Sequence, residues 1–216
     1  MRPHGRRLGE EPKETPELWF ISLADLMSLL FAFFVLLTSA SAAPKNCNGL
    51  ARYLDEHRAQ YKSFELQSSK LQCVIILPSD FLFQSGEDRL QAQALVPLRP
   101  LFQEIVHLPE HQSDLVIVEG HTDNVPIATK RFPSNWELSS ARATNLADVM
   151  RELGVPAQKL SVRAFADNRP RVPYTDDYGK PLAGQQLQEA RRLNRRVEII
   201  LENPPTKLEE YTTLFK

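Results

Sequence analysis

The chain has 216 residues, 42% of them hydrophobic and 25% charged, with a formal net charge of −1. That balance excludes a disordered polyelectrolyte and offers no basic stripe for nucleic acid. Setting one apolar span aside leaves about 140–150 residues, room for a single soluble domain.

Residues 1–17 are polar, charged and proline-bearing and read as a short flexible tail. Arg2, Arg6, Arg7 and Lys13 bias it toward the cytoplasm. The segment 18–43 comes next. Trp19 to Ala43 carries one formal charge, Asp25, and at ~1.5 Å per helical residue it reaches ~37 Å, enough for a ~30 Å hydrocarbon core. A transmembrane helix is expected. A carboxylate two turns inside such a helix costs ~3 kcal/mol, so Asp25 should face a protein partner or a water-filled path. Two other readings stand beside this one. Ala40-Ser41-Ala42 resembles a signal-peptide cleavage site, although the apolar run is longer than such segments require. Asp25 could also be a tolerated acid without a transport role. Ala24, Ser28 and Ala32 form a small-residue stripe for close helix approach, and Ser22 and Ser28 can bond Asp25 or their own backbone.

Residues 44–71 read as a linker with a weakly amphipathic helix over Asn48 to Lys70. Cys47 and Cys73 are open to a disulfide within one chain or between two, or to remaining free thiols. Neither suggests a metal. Residues 72–202 then read as one α/β domain. Strands are expected at Val74–Leu77, Asp80–Phe83, Leu115–Glu119, Ser161–Ala166 and Arg196–Leu201. Helices are expected along Leu90–Val106, with Pro97 and Pro100 early in it or breaking it, and along Leu138–Leu153, stopped by Gly154 and Pro156. The order β-α-β-α-β, then a polar loop from Arg171 to Gln186, a helix and a last strand indicates helices packed on a mixed sheet. Residues 203–216 read as an exposed tail.

The segments Gly120-His121-Thr122-Asp123-Asn124-Val125-Pro126, Asn135-Trp136-Glu137-Leu138-Ser139-Ser140-Ala141-Arg142-Ala143 and Asn194-Arg195-Arg196-Val197-Glu198-Ile199 stand in a fixed order. They resemble the OmpA-like peptidoglycan-binding domain. Ala164-Phe165-Ala166-Asp167 departs from that family's glycine-aromatic-glycine turn. The Trp19 to Leu37 stretch, with Ala24-Asp25-Leu26-Met27-Ser28, resembles the membrane segment of MotB and PomB stator B subunits. The resemblance implies a homodimer inside a ring of a MotA-like membrane A subunit, with Asp25 carrying protons or sodium ions. It also implies an inner-membrane protein with its domain in the periplasm, and a linker able to act as a plug, although ordinary packing of that segment onto its own domain is the plainer reading. Asp123 and Arg142 would bind the diaminopimelate of the peptidoglycan stem, with Thr122, Asn135 and Arg195 around them.

The chemistry suits that ligand, whose far end carries an ammonium and a carboxylate. A fixed anion beside a guanidinium fork meets both, and amides near Leu138 and Ser139 would add donors at a helix N-terminus. The other reading is an internal Asp123–Arg142 salt bridge. His121 is read as structural, since no second ligand or nucleophile stands at a telling spacing. No enzyme is expected, and no cofactor beyond the transported ion. The leading expectation is an ion-driven rotary-motor subunit, flagellar or of the Zorya antiphage type, with the short linker and paired cysteines leaning toward a non-flagellar motor. The alternative is a passive cell-wall tether.

Overall fold

The computed structural model describes residues 17–39 and 45–204. The expectations for the N-terminal tail, the Ala40-Ser41-Ala42 run and residues 205–216 lie outside the described residues. The chain divides between Ala43 and Pro44 into two compact units.

The first unit holds helix α1, Glu17–Ser39, whose stretch Trp19–Leu36 has a mean hydropathy of 2.1 and is long and apolar enough to cross a membrane. Its apolar side chains recur on every face, as lipid requires and water does not. Ser28 Oγ donates to the Ala24 carbonyl at 2.8 Å, the local backbone bond expected of a serine in such a helix.

The second unit is built on a five-stranded sheet in the order β1-β2-β5-β3-β4. The strands are β1 (Glu65–Ser68), β2 (Gln72–Pro78), β3 (Leu115–His121), β4 (Leu160–Ala166) and β5 (Arg196–Glu202). Of the described strands, only β3 and β4 pair in parallel; β5 lies antiparallel between β2 and β3. Alternation sorts the side chains by face. Ile75, Leu77, Val116, Val118, Val197, Ile199 and Leu201 enter the main core. Val74, Ile76, Ile117 and Ile200 form a smaller cluster on the other face.

Two helices supply most of the opposing core. Helix α4, Ala92–His107, contributes Leu98, Leu101, Phe102 and Ile105 and runs unbroken through Pro97 and Pro100. The carbonyls that lose an amide partner to these prolines belong to Gln93 and Val96, both exposed residues, where solvent is at hand. Helix α5, Asn135–Glu152, contributes Leu146 and Met150 and ends where Gly154 turns the backbone at φ 104°. Gly120 of β3 lies so close to α5 that a Cβ there would meet the Ser139 carbonyl oxygen at 2.1 Å.

The elements around β2 differ from the sequence reading. Asp80 to Phe83 is not a strand: Ser79–Leu82 forms one helical turn, α3, after which Phe83 makes a single bridge to Leu90. Residues 45–70 are no separate linker: they pack onto their own domain, the more ordinary of the two readings of this segment. Only Asn48–Glu56 is helical, as α2, and β1 then adds an edge strand to β2. Leu50, Tyr61 and Phe64 are buried in the main core, each worth about 1.5–3 kcal/mol over leaving it in water.

The start of this segment is fastened three ways. Cys47 and Cys73 form a disulfide. Lys45 Nζ sits 2.5 Å from Asp114, with both side chains buried, and Asp114 also binds His111 at 2.8 Å. Glu110 Oε1 accepts the Gly49 amide at 2.8 Å, satisfying a helix-start donor that α2 lacks a side chain of its own to cap.

Candidate functional site

One cleft of about 700 Å³ lies where the C-terminal end of β3, the start of α5 and the start of β5 meet the α3 turn. Thr122, Asp123, Asn135, Leu138, Arg142 and Arg195 all line it, so the binding residues singled out in sequence share one cleft. Local geometry explains how each is held. Asp123 Oδ1 accepts the Val125 amide at 3.0 Å, an Asx turn that sends the chain away from β3. Thr122 Oγ1 donates to the Asp123 carbonyl at 3.1 Å. The Asn135 side-chain amide donates to the Val125 carbonyl at 3.1 Å, tying the loop to the helix it precedes.

The charge pairing differs from the sequence reading. Asp123 and Arg142 form no ion pair; the partner of Asp123 is Arg195, Nη1 to Oδ2, at 2.7 Å. Arg195 also makes a two-pronged contact with Asp80, Nε to Oδ1 at 2.9 Å and Nη2 to Oδ2 at 2.6 Å. The Asp80 bonds raise the Arg195 pKa most; burial opposes them and Asp123 adds to them. Asp80, in a segment read as a strand, was missed. An acid on the single turn between β2 and α4 leaves no periodic trace in sequence.

Arg142 is 4% exposed and is held by two carbonyls and a hydroxyl. Its Nε donates to Glu87 O at 2.8 Å, its Nη2 to Gln84 O at 3.3 Å and its Nη1 to Ser79 Oγ at 3.1 Å. The guanidinium lies 5.1 Å from the Phe83 ring centroid. Burial pushes its pKa down to about 10, against the pull of Asp80, so it stays charged at neutral pH. Three of five N–H donors are used, and two remain for an anion.

The helix N-terminus also sits earlier than expected. Ser134 caps α5, accepting the Trp136 amide at 3.2 Å. The Leu138 amide donates to the Ser134 carbonyl. Ser139 is buried, its hydroxyl donating to Trp136 O and accepting the Ala166 amide. Leu138 and Ser139 therefore contribute an apolar wall and a structural bond, not free amides. Val125, which lines the cleft, is 46% exposed, and Trp136 on the first turn of α5 is 49% exposed.

The arrangement is an array of alternating charge. The Asp123 carboxylate has lone pairs beyond its two bonds, enough to accept an ammonium, while Arg142 and Arg195 can meet a carboxylate. Among the described residues, no nucleophile paired with a base lines the cleft.

A mixed-sheet domain with such a cleft, on a chain with a membrane-length helix, is the make-up of a membrane-anchored binding protein. Similarity to known proteins sharpens this class. The OmpA family matches residues 82–182, and the family described as membrane MotB of the proton-channel complex MotA/MotB matches residues 5–57. The chain is 28% identical over 87% of its length to YtxE of Bacillus subtilis, an uncharacterized protein of which it covers 89%. It is 32% identical over 59% of its length to Motility protein B of the same organism, of which it covers 44%. Among solved structures, the periplasmic domain of Helicobacter pylori MotB superposes with a TM-score of 0.56 at 25% identity, covering 70% of this chain and 88% of that one. The cell wall anchor of the type VI secretion system from Pseudomonas aeruginosa gives a TM-score of 0.56 at 28% identity, over 72% and 97%. The chain is thus similar to MotB over its N-terminal part and to the OmpA family over its domain.

Proposed function

We propose that this chain is the peptidoglycan-anchored B subunit of an ion-driven rotary motor. It works as a homodimer, inserted with its N-terminus in the cytoplasm and its domain in the periplasm. The observation that carries the reading is a pairing on one chain. A membrane-length apolar stretch bears the single acid Asp25, and one cleft is lined by Asp123, Arg142 and Arg195. Asp123 receives the ammonium of the diaminopimelate stem, and Arg142 and Arg195 receive its carboxylate. The disulfide supports the placement, since such bonds persist outside the cytoplasm.

Asp25 carries a proton or sodium ion past a MotA-like partner, being useful there because it can be charged and neutralised. Flagellar rotation and antiphage defence of the Zorya type both use such a subunit. The match to a type VI cell wall anchor supports a second reading, a passive tether with Asp25 incidental.

The test of the anchor is co-sedimentation of the detergent-solubilised chain with purified sacculi. Asp123→Asn keeps the size and the Val125 bond but loses the anion, and should weaken binding about tenfold or more. Equal sedimentation of both proteins would sink the cleft as the peptidoglycan site.

A further inference from the structure

On the sheet face opposite the main core, β3 carries Glu119 and His121, and β5 carries Glu198. Glu119 and Glu198 are direct cross-strand partners, and His121, two residues on, shares their face. The β3–β5 register runs unbroken through His121, while the register with β4 skips Phe165, a bulge on β4. The result brings one ligand atom from each of the three residues within 4.8 Å of the others.

His121 is 2% exposed and Glu119 5%. Neither ring nitrogen of His121 has a hydrogen-bond partner; the nearest carboxylate oxygen, Glu119 Oε2, is 3.7 Å from Nε2. The Phe165 ring stacks on the imidazole at 5.4 Å between centroids and holds its plane. A buried polar group left unbonded costs about 1–3 kcal/mol, so this ring is aimed at something. We propose that Glu119, His121 and Glu198 form a site for a divalent transition metal of the zinc class.

The donor set is one imidazole and two carboxylates, which suits zinc with a water in the fourth position. The free atoms are the right ones. Arg163 takes Oε1 of Glu119 at 3.0 Å and Arg196 takes Oε1 of Glu198 at 2.5 Å, leaving Oε2 of each. Tetrahedral ligands at about 2.0–2.1 Å from zinc stand about 3.4 Å apart; His121 Nε2 and Glu119 Oε2, at 3.7 Å, are near that spacing already, and no pair in the cluster has to close by more than about 1.4 Å.

The two arginines set the affinity. They neutralise the carboxylates without a metal, and a dication must compete with them. Arg196 is fixed by the Asn194 and Arg169 carbonyls. Arg163 is 48% exposed in its side chain and can withdraw to water at small cost. The site thus acts as a cross-link between β3 and β5 just before the Thr122-Asp123 turn. It does not rest on the function proposed above.

The experiment is equilibrium dialysis of the detergent-solubilised full chain, stripped by chelator, against Zn²⁺, with bound metal counted by mass spectrometry. Wild type should hold one zinc more than His121→Asn. Glu198→Gln should weaken that site at least tenfold, while Arg163→Gln, which removes the competing cation, should tighten it several-fold. A purely structural role for these residues would not reverse sign between the two variants. Zinc-edge absorption of the wild type should show one imidazole nitrogen and two carboxylate oxygens, and it decides the matter if a variant fails to fold. Equal zinc in wild type and His121→Asn, a shell without imidazole, or no tightening in Arg163→Gln overturns the proposal.

Discussion

Ala166 holds its backbone at φ 50°, alone among the described non-glycine residues. It does so because its carbonyl accepts the Thr122 amide at 2.8 Å and its own amide donates to Ser139 Oγ, fixing the turn that supports Asp123. The left-handed region costs an L-residue about 1–2 kcal/mol, and a glycine would give back part of that as unfolded-chain entropy. Ala166→Gly should therefore raise stability by about 0.5–1 kcal/mol, read as a higher urea midpoint at unchanged slope. Gly120→Ala should do the reverse. Its methyl would strike the Ser139 carbonyl, and such overpacking costs about 1–3 kcal/mol. It would also push α5, and with it Leu138 and Arg142, away from Asp123, so sacculus binding should fall along with the melting temperature. At this scale the cleft was legible where motifs named its residues, and illegible in its pairing. The sequence brings Asp123, Arg142 and Arg195 near one another, but only the fold decides that Arg195 takes Asp123 while Arg142 turns to the carbonyls of Gln84 and Glu87.

Among the elements, the segment from Lys45 to Ser68 was the least legible. Leu50, Tyr53, Leu54, Tyr61 and Phe64 recur at helical spacing, yet α2 stops at Glu56. Beyond the helix an aromatic ladder takes over, Tyr53, Tyr61, Phe64 and Phe81 with centroids 5.4–5.8 Å apart. Tyr61 donates to the Pro97 carbonyl. Strand β1 shows no alternation, only one of its four residues being even half-buried, so its pairing with β2 is written in β2. The long apolar elements, β3 and the faces of α4 and α5, were legible because their periods are strong.

Two predictions test how this segment is held. Reducing the Cys47–Cys73 bond opens a loop of sequence separation 26, so Cys73→Ser should cost about 3 kcal/mol, read by denaturant unfolding with and without reductant. Asp114→Asn leaves Lys45 buried without its counter-charge and should cost about 3–5 kcal/mol. Burial alone would raise the Asp114 carboxyl, but the bonds from His111 and Lys45 hold it below its ordinary 3.8. A carboxyl depressed on folding contributes in full above its unfolded value and loses that contribution as pH falls through its folded one. Wild-type stability should thus drop as pH falls below about 4, and the Asp114→Asn profile should be flatter there. Parallel profiles would remove Asp114 from the account.

For the whole molecule, the decisive feature is that the two units are each compact in themselves, so the roles proposed for Asp25 and Asp123 ought to separate. Groups that share no partners act additively. Asp25→Asn changes one acid on α1 and leaves the sequence of the domain unaltered, so the variant should sediment with sacculi and unfold as wild type does. In a deletion strain at matched protein levels, however, it should fail to restore the motor phenotype, swimming or phage resistance, because an amide cannot be alternately charged and neutralised. Asp123→Asn should fail in the same strain for the opposite reason, with the ion path intact and the anchor slack. Ion flux through the chain co-expressed with its membrane partner distinguishes the two: lost in Asp25→Asn, retained in Asp123→Asn. A passive tether predicts a different pattern. Asp25→Asn would then complement fully and only Asp123→Asn would fail, since a tether needs its grip on the wall and has no use for a carboxylate in its membrane helix.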